Sequence, residues 1–375
     1  MYRTGMNVVD RLPAESLAPH LRSSRSSRSK PAMLLAALFL VALPLLNPWV
    51  RGDGVGYYAF ARSLLVEHRL DFENDWLQAN DSFRAGRVDP DGRIAANQYT
   101  ATGLLNNHFS IGPAILWAPF LIAAHLAVLA ADRFGASVSS DGFSRPYRFA
   151  AALATALYGF LAVWLSFLLA RKYVSEGWAL AAAIGIWFGS SLPVYMYFDP
   201  FWSHAQSAFA VALFVWYWDR TRGHRSPTQW LWLGAAGGLM VDVYYPTALL
   251  FLLPFVEQLW HLRKAQRSGR VSEALRRALI GALLLGTSTF VAFLPTLLAK
   301  RAIYGSAFQL GYTERWFWWS PALLQVCFSA NHGLFTWTPL LLAAVIGLFL
   351  LLKRDTVLAT ALLAAFCAYL YAMGC

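Results

Sequence analysis

Charge is what this 375-residue chain has least of. Asp, Glu, Lys and Arg together make up 14% of it, where a soluble chain carries about 25%. The few charges are clustered, with long uncharged runs between them, and that pattern excludes an ordinary soluble α protein. Cysteine is nearly absent. Cys327, Cys367 and Cys375 have neither metal-ligand spacing nor the number for a disulfide framework. Acids are short relative to bases, 20 against 31, for a net charge of +11. This excess does not point to nucleic acid, because the Lys and Arg fall mainly in short loops between apolar runs, where they orient helices against a membrane.

What the chain has in abundance is apolar and aromatic surface. Hydrophobic residues reach 58% and aromatic residues 15%, including 16 Trp and 16 Tyr. Amphipathic rings favour membrane interfaces. The expected fold class is therefore all-α, a polytopic integral membrane protein. Residues 1–32 are polar and rich in Ser and Arg (LRSSRSSRSK) and are expected to be a disordered basic cytoplasmic terminus. The domain proper is expected over 33–375. Met33 to Val50 follows a basic flank as a signal peptide does, but no small-x-small cleavage site precedes Arg51. An uncleaved first helix is the expectation.

Apolar runs fall at about 33–50, 110–131, 148–170, 178–197, 204–218, 229–243, 246–260, 278–299, 336–352 and 356–374. The ambiguous one is 110–131, which holds Pro113, Pro119 and His125. If it does not cross the bilayer, most of the 31 Lys and Arg lie on the cytoplasmic side; if it crosses, most lie outside. The positive-inside rule selects the first arrangement. It predicts about nine transmembrane helices, an external segment 51–147 carrying interfacial helices, and a second external loop over 300–335. Asp53, Asp199 and Asp242 then share the outer side with His108, His204 and His332. The chain stops at Ala372-Met373-Gly374-Cys375 directly after the last run, and a C-terminal truncation is expected.

The stretch RGDGVGYYAF, Arg51 to Phe60, follows the first run. Tyr57, Tyr58, Ala61, Leu64, Leu65 and His68 recur at helical spacing, with Arg62, Glu67 and Arg69 on the polar side. Two readings of Asp53 stand side by side. It is a suitable N-cap, with Gly52, Gly54 and Gly56 permitting a tight turn. It is equally a carboxylate at the membrane surface, where a sugar moving from a lipid phosphate needs a base for the acceptor's proton.

Further along, Asp71, Glu73, Asp75, Asp81, Asp89 and Asp91 are expected to be solvated loop charges, with Asp89-Pro90-Asp91-Gly92 a turn. A divalent-cation site among them is conceivable, but no calcium-loop spacing is present. Asn106-Asn107-His108 precedes a Gly-Pro helix start, and His108 is either part of the cap or a pocket residue. Asp199 is either a turn residue or a site residue. Asp242 lies near bilayer depth, where ionisable groups are costly and line cavities. Lys300 and Arg301 are candidate phosphate ligands, as is Arg315 beside the aromatic run Trp316-Phe317-Trp318-Trp319. His332 is a candidate phosphate contact.

Taken together, Gly52-Asp53-Gly54-Val55-Gly56-Tyr57-Tyr58, Asn107-His108-Phe109-Ser110-Ile111-Gly112-Pro113, Tyr197-Phe198-Asp199 and His332-Gly333-Leu334-Phe335-Thr336-Trp337-Thr338-Pro339 resemble the GT-C fold membrane glycosyltransferases. The nearest branch is that of the protein O-mannosyltransferases and lipid A aminoarabinose transferases, among its bacterial members. The expected location is the bacterial inner membrane, and the loop charges already imply a cytoplasmic N-terminus and an active site on the outer, periplasmic face. The resemblance implies a polyprenyl phosphate-linked sugar donor, with Asp53 acting on the acceptor and Asp199 shaping the same cavity. Tyr57, Tyr58, His108, Asp242, Lys300, Arg301 and His332 complete the expected substrate site. The chain departs from the family in lacking a His-Pro-Pro or Lys-Pro-Pro at 107–113, and in being shorter than its usual members. A transporter or lipid flippase is the competing class, although it would favour internal repeats and midplane charges. A non-catalytic membrane scaffold is a third.

Overall fold

The computed structural model describes residues 30–309, 311 and 316–375. They form fifteen α-helices: α1 (Lys30–Ala42), α2 (Asp53–Arg62), α3 (Glu73–Leu77), α4 (Asp81–Arg84), α5 (Gly112–Arg133), α6 (Arg145–Ala170), α7 (Glu176–Phe188), α8 (His204–Thr221), α9 (Pro227–Val243), α10 (Leu252–Arg267), α11 (Val271–Tyr304), α12 (Leu323–Phe328), α13 (Leu334–Trp337), α14 (Leu340–Leu351) and α15 (Thr356–Gly374). Among the described residues there is no β-strand beyond two isolated bridges, Val88 with Ile94 and Tyr99 with Leu105. The expected all-α class holds. Residues 1–29 and Arg315 lie outside the described residues. The N-terminal boundary moves, since α1 already begins at Lys30 rather than after residue 32.

Four helices, α5, α6, α11 and α15, are long and apolar enough to cross a membrane. Lys30–Leu45, α7 and α14 are apolar but shorter. The run 110–131, expected at the interface, is a continuous 22-residue helix that meets the length and composition of a span. It pairs antiparallel with only part of α6. Trp117 Nε1 donates to Thr155 Oγ1 at 2.8 Å, and His125 Nδ1 lies 2.6 Å from the Tyr147 hydroxyl. Helix α5 therefore starts partway down α6 and runs toward its N-terminus.

Helices α9 and α11 pack in parallel at very short range. A Cβ on Gly234 would lie 2.3 Å from the Leu285 carbonyl, and one on Gly238 would lie 2.7 Å from that of Thr289. Small residues four apart permit this approach, which supplies dispersion contact where lipid offers no hydrophobic drive. The Thr289 hydroxyl donates to Gly234 O across the seam at 3.0 Å.

The basic loops converge on one end of the bundle. Lys172 pairs with Asp219, and Arg222 with both Asp219 and Asp355. Arg225 pairs with Glu257 at 2.7 Å, both almost fully buried. These pairs tie the ends of α6, α8, α10 and α15 together. The opposite end carries α2 to α4 and the loop before α5.

Two expectations for that opposite end need correction. Arg62, expected on the polar face, is 2% exposed, and Asp75, expected to be solvated, is 3% exposed. The guanidinium grips the carboxylate through two bonds, at 2.7 and 2.5 Å, and also holds Glu67 at 2.9 Å. Burial of either charge alone is unfavourable, so the two are buried as a pair. The first residues of the expected second external loop, 300–304, are helical, since α11 continues to Tyr304, and Lys300 is buried within it.

Candidate functional site

Asp53 is the first residue of α2, and Gly52 is its N-cap. The capping reading of Asp53 is thereby corrected, since its side chain makes no cap hydrogen bond. Gly52 adopts φ 52°, a left-handed conformation that only glycine takes without strain. Its amide donates to Asn80 Oδ1 at 3.1 Å, and the Trp202 indole covers its Cα. Gly54 and Gly56, expected to permit a tight turn, are helical. They admit Phe201 and the Phe109 ring against the helix instead.

The rest of α2 is buried from Gly54 to Arg62, while Asp53 is exposed. One carboxylate thus stands at the solvent end of an otherwise enclosed helix. The surrounding protein withdraws enough water to push its carboxyl above the ordinary value of 3.8, with Arg87 pulling the other way. Arg87 is held in place by donating to Phe83 O at 2.9 Å and stacking over the Phe83 ring at 4.3 Å. Being at the helix N-terminus also favours the carboxylate form of Asp53.

Asp199 reaches the same mouth. It accepts from Arg51 Nε at 2.5 Å, and the pair is partly exposed. Tyr195 lies within electrostatic reach of both Asp199 and Asp53. Its ring packs at a tilt against His204, with centroids 4.1 Å apart, and against Trp202 at 5.9 Å. Tyr57 and Tyr58 face inward. Tyr57 Oη accepts from Ser203 Oγ at 3.0 Å, and Tyr58 Oη donates to Gly142 O at 2.7 Å. They anchor α2 rather than open onto the mouth.

A second cluster lies beneath, built around the segment 106–112. Asn107 Nδ2 donates to Gly56 O at 2.9 Å, fixing this segment to α2. Ser110 Oγ donates to Val243 O at 2.7 Å, fixing it to α9. Lys300 of α11 is 1% exposed, and its ammonium donates to the carbonyls of Asn107, His108 and Phe109 at 3.3, 2.9 and 3.2 Å. His108 stacks on Phe109 at 4.2 Å, and Phe109 meets Tyr57 at 4.8 Å. One turn before Lys300, Thr296 Oγ1 donates to Asp242 Oδ1 at 2.5 Å. Asp242 is 1% exposed, and its Oδ2 has no hydrogen-bond partner among the described residues.

The structure thus places Asp53 and Asp199 at one mouth, packs Tyr57 and Tyr58 behind it, and places His108, Lys300 and Asp242 in an adjoining layer. Arg301 is exposed beside Lys300 on α11. His332 is exposed at φ 70°, with its ring stacked on Trp337 at 4.5 Å. Among the described residues, no three His, Cys, Asp or Glu side chains cluster to hold a metal ion. Sequence reasoning missed Asn80, Arg87, Tyr195 and Thr296. Each is an ordinary residue in its own stretch and gains its role only through a partner distant in the chain. Comparison with protein-family models, curated proteins and solved structures returns no match.

Proposed function

We propose that the chain is a membrane glycosyltransferase that moves a sugar from a polyprenyl phosphate donor to an acceptor hydroxyl at the outer membrane face. The observation that carries this reading is the isolation of Asp53, a solvent-facing carboxylate with a raised pKa at the tip of a buried helix. A general base needs access to the acceptor together with a pKa moved toward working pH. The resemblance of residues 52–58, 107–113 and 332–339 to GT-C enzymes supports the same assignment. The nine-span topology, its orientation and an inner-membrane location are part of the proposal and rest on the loop charges.

In this mechanism Asp53 accepts the proton of the acceptor hydroxyl as its oxygen attacks the anomeric carbon. The bond from that carbon to the phosphate oxygen breaks, and polyprenyl phosphate leaves with the bonding electrons. A single displacement inverts the anomeric configuration. Arg87, which acts electrostatically on Asp53, and Arg51, paired with Asp199, are the candidate cations for stabilising the departing phosphate. Lys300, already donating to three carbonyls, has a positioning role for the loop that supports α2.

Transfer from defined polyprenyl phosphate sugars, measured for the wild type, Asp53→Asn and Asp53→Ala, tests the proposal. Because Gly52 is the cap, both variants should fold. Both should lose about 100-fold or more of the transfer rate. Full transfer by Asp53→Asn would sink the catalytic assignment.

One observation favours a second reading, a proton-coupled transporter. Asp242 is buried beside Thr296 with one carboxylate oxygen unpartnered, the kind of intramembrane acid that proton relays use. Substrate-driven proton uptake into proteoliposomes, abolished by Asp242→Asn but not by Asp53→Asn, would favour it.

A further inference from the structure

One cavity lies at the far end of the molecule from Asp53. It has a volume of about 770 Å³ and sits where α10 turns into α11, closed on one side by the start of α9. The loop-charge count assigns this end to the cytoplasm. The proposed sugar transfer has no use for it.

Its walls are of two kinds. Trp230, Ile280 and Leu284 give it apolar lining. Lys264, Arg270 and Arg276 line it with positive charge. The cavity's two acids are already committed. Glu257 accepts from Arg225 at 2.7 Å and from the Gly223 amide at 2.9 Å, and Glu273 pairs with Arg277 at 2.5 Å. Among the described residues, none of Lys264, Arg270 and Arg276 takes part in an ion pair. Three uncompensated cations therefore share a space with apolar lining. The first turn of α11 adds the positive end of a 34-residue helix to the same cavity.

A purely orienting set of charges needs no cavity, and a purely apolar crevice would not gather cations. We infer that this cavity binds an anionic phospholipid of the adjoining leaflet. Lys264, Arg270 and Arg276 hold its phosphate headgroup, and Trp230, Ile280 and Leu284 receive the start of its acyl chains. Each basic residue near a membrane surface adds attraction for an anionic headgroup, and the apolar lining discriminates a lipid from a free anion. The inference is independent of the proposed transfer reaction.

The test uses the full chain purified in dodecyl maltoside and titrated calorimetrically with dioctanoyl phosphatidylglycerol. Dioctanoyl phosphatidylcholine and inorganic phosphate serve as comparison ligands. Two triple variants carry equal charge loss. In one, Lys264, Arg270 and Arg276 become Gln; in the other, Arg263, Arg267 and Lys353, which lie outside the cavity, become Gln. A third variant, Ile280→Trp, fills the apolar part at a position already 45% exposed.

Saturable phosphatidylglycerol binding is expected. The cavity triple should weaken it about tenfold or more, and the outer triple should leave it within about twofold. Ile280→Trp should also weaken it. Equal losses in the two triples would reduce the effect to bulk electrostatics and overturn the site. Equal binding of phosphatidylcholine would overturn the anionic headgroup, and inorganic phosphate binding as tightly as the lipid would overturn the acyl-chain contact. Should the cavity triple fail to fold, unchanged binding by Ile280→Trp would still refute the proposal.

Discussion

Asp53 owes its properties to the residues around it. Gly52 caps the helix, Asn80 fixes that cap, and Arg87 opposes the desolvation that raises the Asp53 carboxyl. If Asp53 is the base, it must be ionised to accept a proton. The rate then climbs with pH through its folded pKa, so the acid limb should lie above 3.8, the ordinary aspartate value. Arg87→Gln removes the opposing charge and should move this limb to still higher pH. A pH–rate profile of kcat/KM for both proteins checks the shift, and a limb that stays put would remove Arg87 from the site. Close packing is the other residue-scale constraint. A Cβ on Gly112 would lie 2.4 Å from the Asp242 backbone, where no flexible side chain can yield. Gly112→Ala should cost about 1–3 kcal/mol, visible as a lowered unfolding temperature in detergent.

At the scale of elements, the apolar runs and basic loops were legible, because periodicity and composition act locally. The run 204–218 became α8, 229–243 became α9 and 356–374 became α15. The turn at Asp89-Pro90-Asp91-Gly92 also formed, with Gly92 at φ 83°. The charge partners were not legible. Arg51 and Asp199 are separated by 148 positions, and nothing in either stretch marks the other. Arg62 has the periodicity of a polar-face residue, yet α3 brings Asp75 over it and excludes water. Breaking that buried pair should be costly. Asp75→Asn is expected to destabilise the outer layer by about 3–5 kcal/mol, whereas replacing both partners, Arg62→Met with Asp75→Leu, should cost less. Hydrogen exchange over residues 53–77 would separate the two cases. Similarly, Lys300→Met should leave three carbonyls without their shared donor. The segment 106–112 should then exchange faster, even in the absence of any substrate. Unchanged exchange there, with lost affinity for a polyprenyl phosphate, would make Lys300 a ligand instead.

For the whole molecule, the proposed function rests on the distinction between its two ends. One end gathers Asp53, Asp199 and the loop before α5. The other gathers the ion pairs of α6, α8, α10 and α15, and the cationic cavity. The expectation that these ends face opposite sides of a membrane is testable directly. In a chain whose Cys327, Cys367 and Cys375 are replaced by Ser, a cysteine placed at Asp91 should react with a membrane-impermeant maleimide added outside intact cells. One placed at Ser268 should react only after permeabilisation. Reversed labelling would invert the topology.

Helix α11 connects those two ends. Its 34 residues extend about 51 Å at 1.5 Å per residue, against about 30 Å of hydrocarbon. Its first turn borders the cationic cavity, and near its last turn Lys300 and Tyr304 clasp the segment 106–112. Thr100 and Thr102 also donate to its Ile303 carbonyl, at 2.5 and 2.7 Å. A helix longer than the hydrocarbon and fastened at its outer end is expected to tilt as the bilayer thins. Such a tilt would reach the segment that packs against α2. If Asp53 is the base of the proposed transfer, the rate should vary with acyl-chain length in reconstituted vesicles even when the headgroup is held constant.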